Sequence, residues 1–475
     1  MPVSADAYIS PGDMALRHDI QVLADSGYIS GPIMTWPLAW GAVVEGLESA
    51  DLSNAPNYVI DSAARVLARS RWHTRSNEWQ FRAEASVSEN PIRIRSFANT
   101  PREEVQATVG ASLTNDWIAV DLRASVVESP LDGDEVRADG SMIGVMLGNW
   151  SVSANTLDKH WGPGWDGSLI LSGNARPMPS LTIDRVYTDA FESRWLSWLG
   201  PWDLTVTFGQ LEKERTVPDA QFFGMRFGFR PIPSLELGVS RSALWCGEDR
   251  PCGLDTFADL FLGNDNVGDS GISTGNEPGN QLGGFDFRWS TALFNRPVAI
   301  YGQFIGEDEA GGFPSRFLGQ GGVEVVSYWA DRWSVRAFGE IAATTCQFHE
   351  SSELFNCAYN HGIYQTGYRY KGSVIGHGVD NDARVASLGL ILVDSDNMQW
   401  RGILRYGELN RGGAPDPNNT LTATPADLSS IDIAHSRALK YGVIEVGVGY
   451  QQFDQTVDDS SSSDGRIYLN WRSSY

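Results

Sequence analysis

Residues 223–230 read Phe223-Gly224-Met225-Arg226-Phe227-Gly228-Phe229-Arg230. Bulky apolar side chains alternate with glycine and arginine, so neighbouring positions belong to opposite faces of an extended strand. In an outer-membrane barrel the apolar face meets lipid and the charged face meets the lumen. The same period of two recurs along the chain. Ile118, Val120, Leu122, Ala124 and Val126 alternate with Ala119, Asp121, Arg123 and Ser125. Phe285, Phe287 and Trp289 alternate with Asp286, Arg288 and Ser290, and Ile467, Leu469 and Trp471 with Tyr468, Asn470 and Arg472.

A large soluble β-sandwich or propeller also alternates, and connection lengths separate the two. Strands are predicted near 78–88, 104–114, 116–127, 139–149, 150–158, 181–188, 202–212, 220–229 and 234–243. Nine more follow near 283–294, 297–306, 319–329, 333–343, 383–394, 398–409, 427–436, 440–453 and 464–475. Asn115-Asp116, Asn149-Trp150, Pro231–Pro233, Asn295-Arg296, Ala330–Arg332 and Asp394–Asn397 are tight turns, whereas 89–103, 159–180, 244–282, 344–382 and 410–426 are long. Short periplasmic turns alternating with long extracellular loops are the barrel pattern. Counting 361–371 as a strand would put the Asp394–Asn397 turn on the outer side. Assigning it to the loop and splitting 427–453 into two strands restores the parity. The fold class is an all-β transmembrane barrel of about 18 antiparallel strands, with both chain ends on the periplasmic side.

The first residues follow another period. Asp13 looks like a helix start, with Leu16, Ile20 and Leu23 at helical spacing until Gly27. Pro37 suits the first turn of a second helix carrying Trp40, Val43, Val44 and Leu47. Val59, Ala63, Val66 and Leu67 mark a third. Residues 1–76 are therefore predicted as a small periplasmic helical bundle and 77–475 as the barrel. Met1-Pro2-Val3-Ser4 lacks a basic and apolar leader, so an exported chain is expected to have lost its signal peptide.

A net charge of −23 argues against nucleic acid as a partner, since phosphate binding needs Lys and Arg. No run approaches the ~20 apolar residues of a spanning helix. The cysteines fall as Cys246/Cys252 and Cys346/Cys357 in predicted outer loops, read as disulfides, with a zinc site beside His349 as the alternative. The seven histidines include His160 and His377 in or beside loops, and none joins a recognisable Ser/His pattern. No phosphate-cradling glycine turn is visible. No catalytic residues, cofactor or metal are assigned.

Inward-phased Arg123, Arg226, Arg288, Arg336, Arg401 and Arg405, with Asp121, Asp286 and Glu340, allow two readings. They are either the ion-paired filling of a blocked lumen or a charged pathway for polar solutes such as sugars. His160-Trp161-Gly162-Pro163-Gly164-Trp165-Asp166-Gly167-Ser168 likewise reads as a packed plug or as a glycan platform. Trp161, Trp165 and Asp166 are candidate glycan contacts, with Trp245 beside Cys246 a further one. The acidic run Glu307-Asp308-Glu309 is a weaker candidate of the same kind, read first as a solvated loop and second as a place for a divalent cation.

Several words run in order along the chain: Thr35-Trp36-Pro37-Leu38, Trp161-Gly162-Pro163-Gly164, Ala175-Arg176-Pro177-Met178, Gly200-Pro201-Trp202 and Ser234-Leu235-Glu236-Leu237-Gly238. Asn280-Gln281-Leu282 with Gly284-Phe285-Asp286-Phe287, then Tyr301-Gly302-Gln303 with Ile305–Glu309, continue them to about residue 310. In these the chain resembles the Wzi family of outer-membrane capsule-assembly proteins. The resemblance implies an occluded 18-stranded barrel with a periplasmic helical bundle. It implies a lectin-like, non-enzymatic role: binding capsular or extracellular polysaccharide, beside outer-membrane lipid and the export machinery. A porin-like channel for polar solutes or saccharides is the alternative function. An outer-membrane hydrolase is a third.

Overall fold

The computed structural model describes residues 8–48, 50–73, 75–262, 279–294, 296–310, 313–330 and 332–473. Strands β1 (Gln80–Glu89), β2 (Val105–Thr114), β3 (Ile118–Glu128), β4 (Met142–Leu147), β5 (Trp150–Asn155) and β6 (Ser180–Arg185) open the barrel. They continue as β7 (Trp202–Gln210), β8 (Gln221–Ile232), β9 (Leu235–Trp245), β10 (Gly279–Leu293), β11 (Arg296–Ala310) and β12 (Phe313–Trp329). The last six are β13 (Trp333–Ala343), β14 (Arg384–Asp394), β15 (Gln399–Leu409), β16 (Ala426–Leu439), β17 (Gly442–Gln455) and β18 (Ser461–Arg472). Each pairs antiparallel with its sequence neighbours, and β18 closes on β1 from Ile467↔Glu89 to Arg472↔Glu84. Closure leaves no sheet edge, so every strand backbone is satisfied without water, as a hydrocarbon surrounding requires.

The pleat sorts the side chains as the alternation demands. Val239, Phe285 and Leu388 lie exposed on the outer wall, where the solvent is lipid. Arg226, Arg288 and Arg336 are buried inside. Short turns close one end by local polar chemistry: Asn115 Oδ1 accepts from the backbone N–H groups of Trp117 and Ile118 at 2.8 and 2.9 Å. The 361–371 segment stays outside the barrel sheet, where Arg369–Tyr370 makes only a small hairpin with Ser373–Val374. One strand expectation changes. Glu307-Asp308-Glu309 is not a loop, because β11 runs on through it to Ala310 in register with β12. The predicted turns at Asn295 and Asp331 fall outside the described residues.

The helices are α1 (Met14–Asp25), α2 (Trp40–Val44) and α3 (Asn57–His73). Asp13 caps α1 by accepting from Leu16 N at 2.9 Å, and the helix stops before Gly27, which has φ 83°. Pro37 does not start a helix. It lies between two extended pairs, Thr35–Trp36 and Leu38–Ala39, and α2 begins at Trp40. α1 is also more deeply packed than an amphipathic stripe requires, being buried continuously from Met14 to Ala24. The barrel interior is polar, so the polar face of α1 finds partners there. His18 Nε2 lies 2.7 Å from Ser334 Oγ, and Arg336 Nε donates to His18 Nδ1 at 3.1 Å.

Candidate functional site

The loop between β5 and β6 turns inward and fills the lumen. Its strand-like start pairs His160–Trp161 with Thr35–Trp36, and Gly162 N donates to Met34 O at 3.0 Å. Glycine is required here by close approach. A Cβ on Gly164 would come within 2.3 Å of both Gln320 Nε2 and Gly167 O. The Gly-Pro-Gly turn therefore seats the loop against the wall and does not hold its rings out.

Glu340 on β13 anchors the loop's far end. It accepts from Trp165 N, from Asp166 N at 3.2–3.3 Å, from Tyr301 OH at 2.8 Å and from Gln320 Nε2 at 2.9 Å. Trp165 Nε1 donates to Glu324 at 2.7 Å. Glu324 is itself held by Arg288 and by Arg336, the latter at 2.7 Å. The Trp165 ring lies 4.2 Å from the Arg17 guanidinium on α1 and 5.1 Å from that of Arg336. Asp166 is clasped by Arg405 at 2.6 Å. Gln303 receives Leu169 N at 2.7 Å and donates to Trp161 O at 2.8 Å.

The long 344–383 loop covers this layer. Tyr359 OH and Tyr368 OH donate to Leu169 O and Ile170 O at 2.7 and 2.8 Å. Glu307 accepts from Tyr359 N, which ties the cap to β11. Disulfides Cys246–Cys252 and Cys346–Cys357 brace the loops at this end.

Trp161, Trp165 and Asp166 are at most 1% exposed, and Trp245 is 7% exposed, packed on Phe257 at 5.1 Å. Neither Trp161 nor Trp165 has a free ring face for a sugar, because plug, wall and cap pack on both, and Trp245 is covered by Phe257 of the Leu254–Leu262 helix. His160 in the plug and His377 in the cap are each 1% exposed, so neither is a solvated loop residue. The six arginines all lie on the lumen side, each beside a carboxylate: Arg226 with Asp286 at 2.6 Å, Arg401 with Glu445 at 2.6 Å and Arg123 with Asp121 at 3.2 Å complete the set. Glu324, Gln303 and Gln320 are plug anchors that the sequence reading misses, although their inward phase on β11 and β12 is a signal that could find them. Among the described residues no three His, Cys, Asp or Glu side chains converge as a metal site would need.

Residues 74–464 match the family of the capsule assembly protein Wzi. The chain belongs to the Wzi family. The Escherichia coli Wzi structure superposes with a TM-score of 0.84 at 27% identity, covering 99% of each chain. That protein is described as an outer-membrane, carbohydrate-binding β-barrel involved in group 1 capsule assembly. An uncharacterized 55.8 kDa protein in the cps region of Klebsiella pneumoniae is 35% identical over 332 residues, 68% of this chain and 64% of its own length. Family and fold together make this chain an outer-membrane protein, its strands spanning the bilayer.

Proposed function

We propose that this Wzi-family barrel is a non-enzymatic lectin that binds exported capsular or extracellular polysaccharide and holds it at the cell surface. The observation that carries the reading is the filled lumen. α1, the Trp161–Ile170 loop and the 359–376 cap occupy successive levels of the barrel: buried ion pairs tie α1 and the loop to the wall, and tyrosine hydroxyls tie the cap to the loop. A filled barrel is a rigid pedestal for its outer loops and a poor conduit. The Escherichia coli relative's carbohydrate binding supports the same reading. The short-turn end faces the periplasm by the barrel rule, which puts the helices of residues 1–76 at the periplasmic mouth. The partners are then polysaccharide outside, lipid around the wall, and the export machinery that delivers the polymer.

The test is binding of purified protein to the source strain's own polysaccharide and to unrelated ones, at two salt concentrations. Selective, saturable binding is expected. Absence of binding together with steady conductance in planar bilayers would replace this reading with a channel.

A further inference from the structure

The outer wall is not uniform around the barrel. β4, β5 and β6 have six residues each, whereas the other strands have 9 to 17. Six residues rise about 20 Å along a strand and, at a tilt of about 40°, cross about 15 Å of an apolar band about 25 Å tall. Trp117 and Trp150 stand at the periplasmic ends of β3 and β5, where an aromatic girdle belongs. The shortfall is therefore at the outer end. There the chain turns inward after Thr156 to build the plug and comes back at Pro179.

The short wall leaves a groove of about 530 Å³ on its lipid-facing side. Its floor is one cross-strand row, Ile143–Ala154–Leu181–Phe208, in which the small Ala154 makes the dip. All four side chains point outward and are exposed. The outward positions next along turn polar, and Ser141, Thr156, Gln210 and Gln221 form the rim. No charged side chain lines the groove. On the neighbouring β3 the outward positions stay apolar through Leu122, Ala124 and Val126, so hydrocarbon reaches past the rim there.

One flank of the groove is a helix lying on the outside of the barrel. α4 (Leu254–Leu262) lays Phe257 on Phe208 and Phe223, with ring centroids 5.9 and 5.2 Å apart. Phe223, Ala243 and Trp245 point outward from β8 and β9, yet α4 buries all three. Arg241, on the same outer face, closes the helix's C-terminal end by donating to Leu260 O at 2.7 Å and Phe261 O at 3.0 Å. A second stripe on α4, Leu254, Ala258 and Phe261 at i, i+4 and i+7, is exposed, Leu254 at 88%. A helix apolar toward the wall and along the adjoining flank belongs at a bilayer interface.

Groove and stripe continue the lipid-facing wall without a break, so what covers the wall covers them. We infer that β4–β6 and α4 form a lipid site, in which an acyl chain of one outer-leaflet lipid lies along Ala154 and against the helix. Its head group sits at the Gln210–Gln221 rim, deeper than over the flanking strands, and the held lipid fills the mismatch of the short wall. The site needs only that the barrel spans the outer membrane, so it stands or falls apart from polysaccharide binding.

The experiment is photolabelling of the full chain in nanodiscs whose phosphatidylcholine carries a diazirine on one acyl chain, with labelled residues mapped by mass spectrometry. Leu181 and Leu254 should take several-fold more label than Leu388 and Leu404, which are exposed on the plain wall. Ala154→Trp fills the dip without removing a partner. It should bring Leu181 down to the level of the plain wall and leave Leu388 unchanged. The heat-induced gel shift of a folded barrel confirms that the variant is intact. Native mass spectrometry of protein extracted from its own outer membrane should show one lipid retained in wild type and lost in Ala154→Trp. Equal labelling of Leu181 and Leu388, unchanged labelling in folded Ala154→Trp, or no retained lipid would overturn the site. So would a wild-type dimer that Ala154→Trp converts to monomer, since a second copy of the chain would then cover this face.

Discussion

Arg405 of β15 and Asp166 of the lumen loop form a buried ion pair, with Nη2 to Oδ1 at 2.6 Å and Nε to the same oxygen at 2.9 Å. Ser387 donates a hydroxyl to the other carboxylate oxygen, so the loop's charge is fully matched inside the barrel. Two ions removed from water lose several kcal/mol of hydration each and recover it only through such matching. Arg405→Ala leaves Asp166 buried and unpaired, at a cost of about 3–5 kcal/mol to the docked loop. The expected result is a barrel of normal heat-modifiability whose planar-bilayer conductance flickers open. Asp166→Asn with Arg405→Gln should cost less than Arg405→Ala alone. A silent Arg405→Ala barrel would mean that this pair does not hold the loop.

Gly164 makes the second prediction. The Cβ of Gly164→Ala would lie 2.3 Å from the Gly167 carbonyl oxygen, a backbone atom that cannot simply rotate away. Overpacking of this kind costs about 1–3 kcal/mol. Gly173, in the same loop, serves as the control, because a Cβ added there would meet nothing within 4 Å. Gly164→Ala should speed protease cleavage within 156–179 in folded barrels, and Gly173→Ala should not. Equal rates would remove the close-approach argument.

How far the sequence carries can be judged from particular residues. Phe285-Asp286-Phe287-Arg288 is enough to place Arg288 inside, because a strand's period of two allows no other arrangement once one face is apolar. It does not say that Arg288 reaches Asp25 on α1 and Glu324 two strands away. Those partners depend on barrel closure and on how deeply α1 sits, which no local pattern encodes. Trp161 and Trp165 show the same limit. An aromatic beside Gly-Pro-Gly reads equally well as display or as packing, and Glu340, which decides for packing, lies 175 positions from Trp165. The Glu307–Glu309 run misleads for a local reason. Acidic residues suggest a solvated loop, but here they continue β11 in register with β12.

Asp382 gives a pH dependence. It sits in the cap at 2% exposure, accepting from Asn356 N at 2.7 Å and from Asn381 at 3.3 Å. Burial, helped by Asp416, raises its pKa from 3.8 to about 6. The folded state therefore binds the proton more tightly than the unfolded state does. This stabilising effect is complete below pH 4 and is lost as pH rises through 6, a change of about 3 kcal/mol. Asp382→Asn keeps one acceptor oxygen and never ionises. Cleavage of the cap by protease should be slower in Asp382→Asn than in wild type at pH 7.5, and similar in the two at pH 4. A ratio that stays constant across that range would show that Asp382 does not titrate with the cap's stability.

The Cys346–Cys357 disulfide gives the last prediction. Its two cysteines are 11 positions apart in the cap, and the loop they close leads into Tyr359, whose hydroxyl and amide bind Leu169 and Glu307. Cross-linking a loop of this length removes conformational freedom from the open cap, worth about 3 kcal/mol in the chain-entropy account. Cys246–Cys252 spans 6 positions and restrains less chain, although Tyr364 OH donates to Cys246 O at 3.0 Å. Cys346→Ser with Cys357→Ser should thus expose 344–383 to protease far more than Cys246→Ser with Cys252→Ser, while the strands of both variants stay resistant. Because the cap lies over the plug, the first double variant should also raise conductance in planar bilayers and the second should not. Equal effects would mean that Tyr359 and Tyr368 dock the cap without help from the covalent bond, leaving the buried tyrosine contacts as the true closure of the barrel.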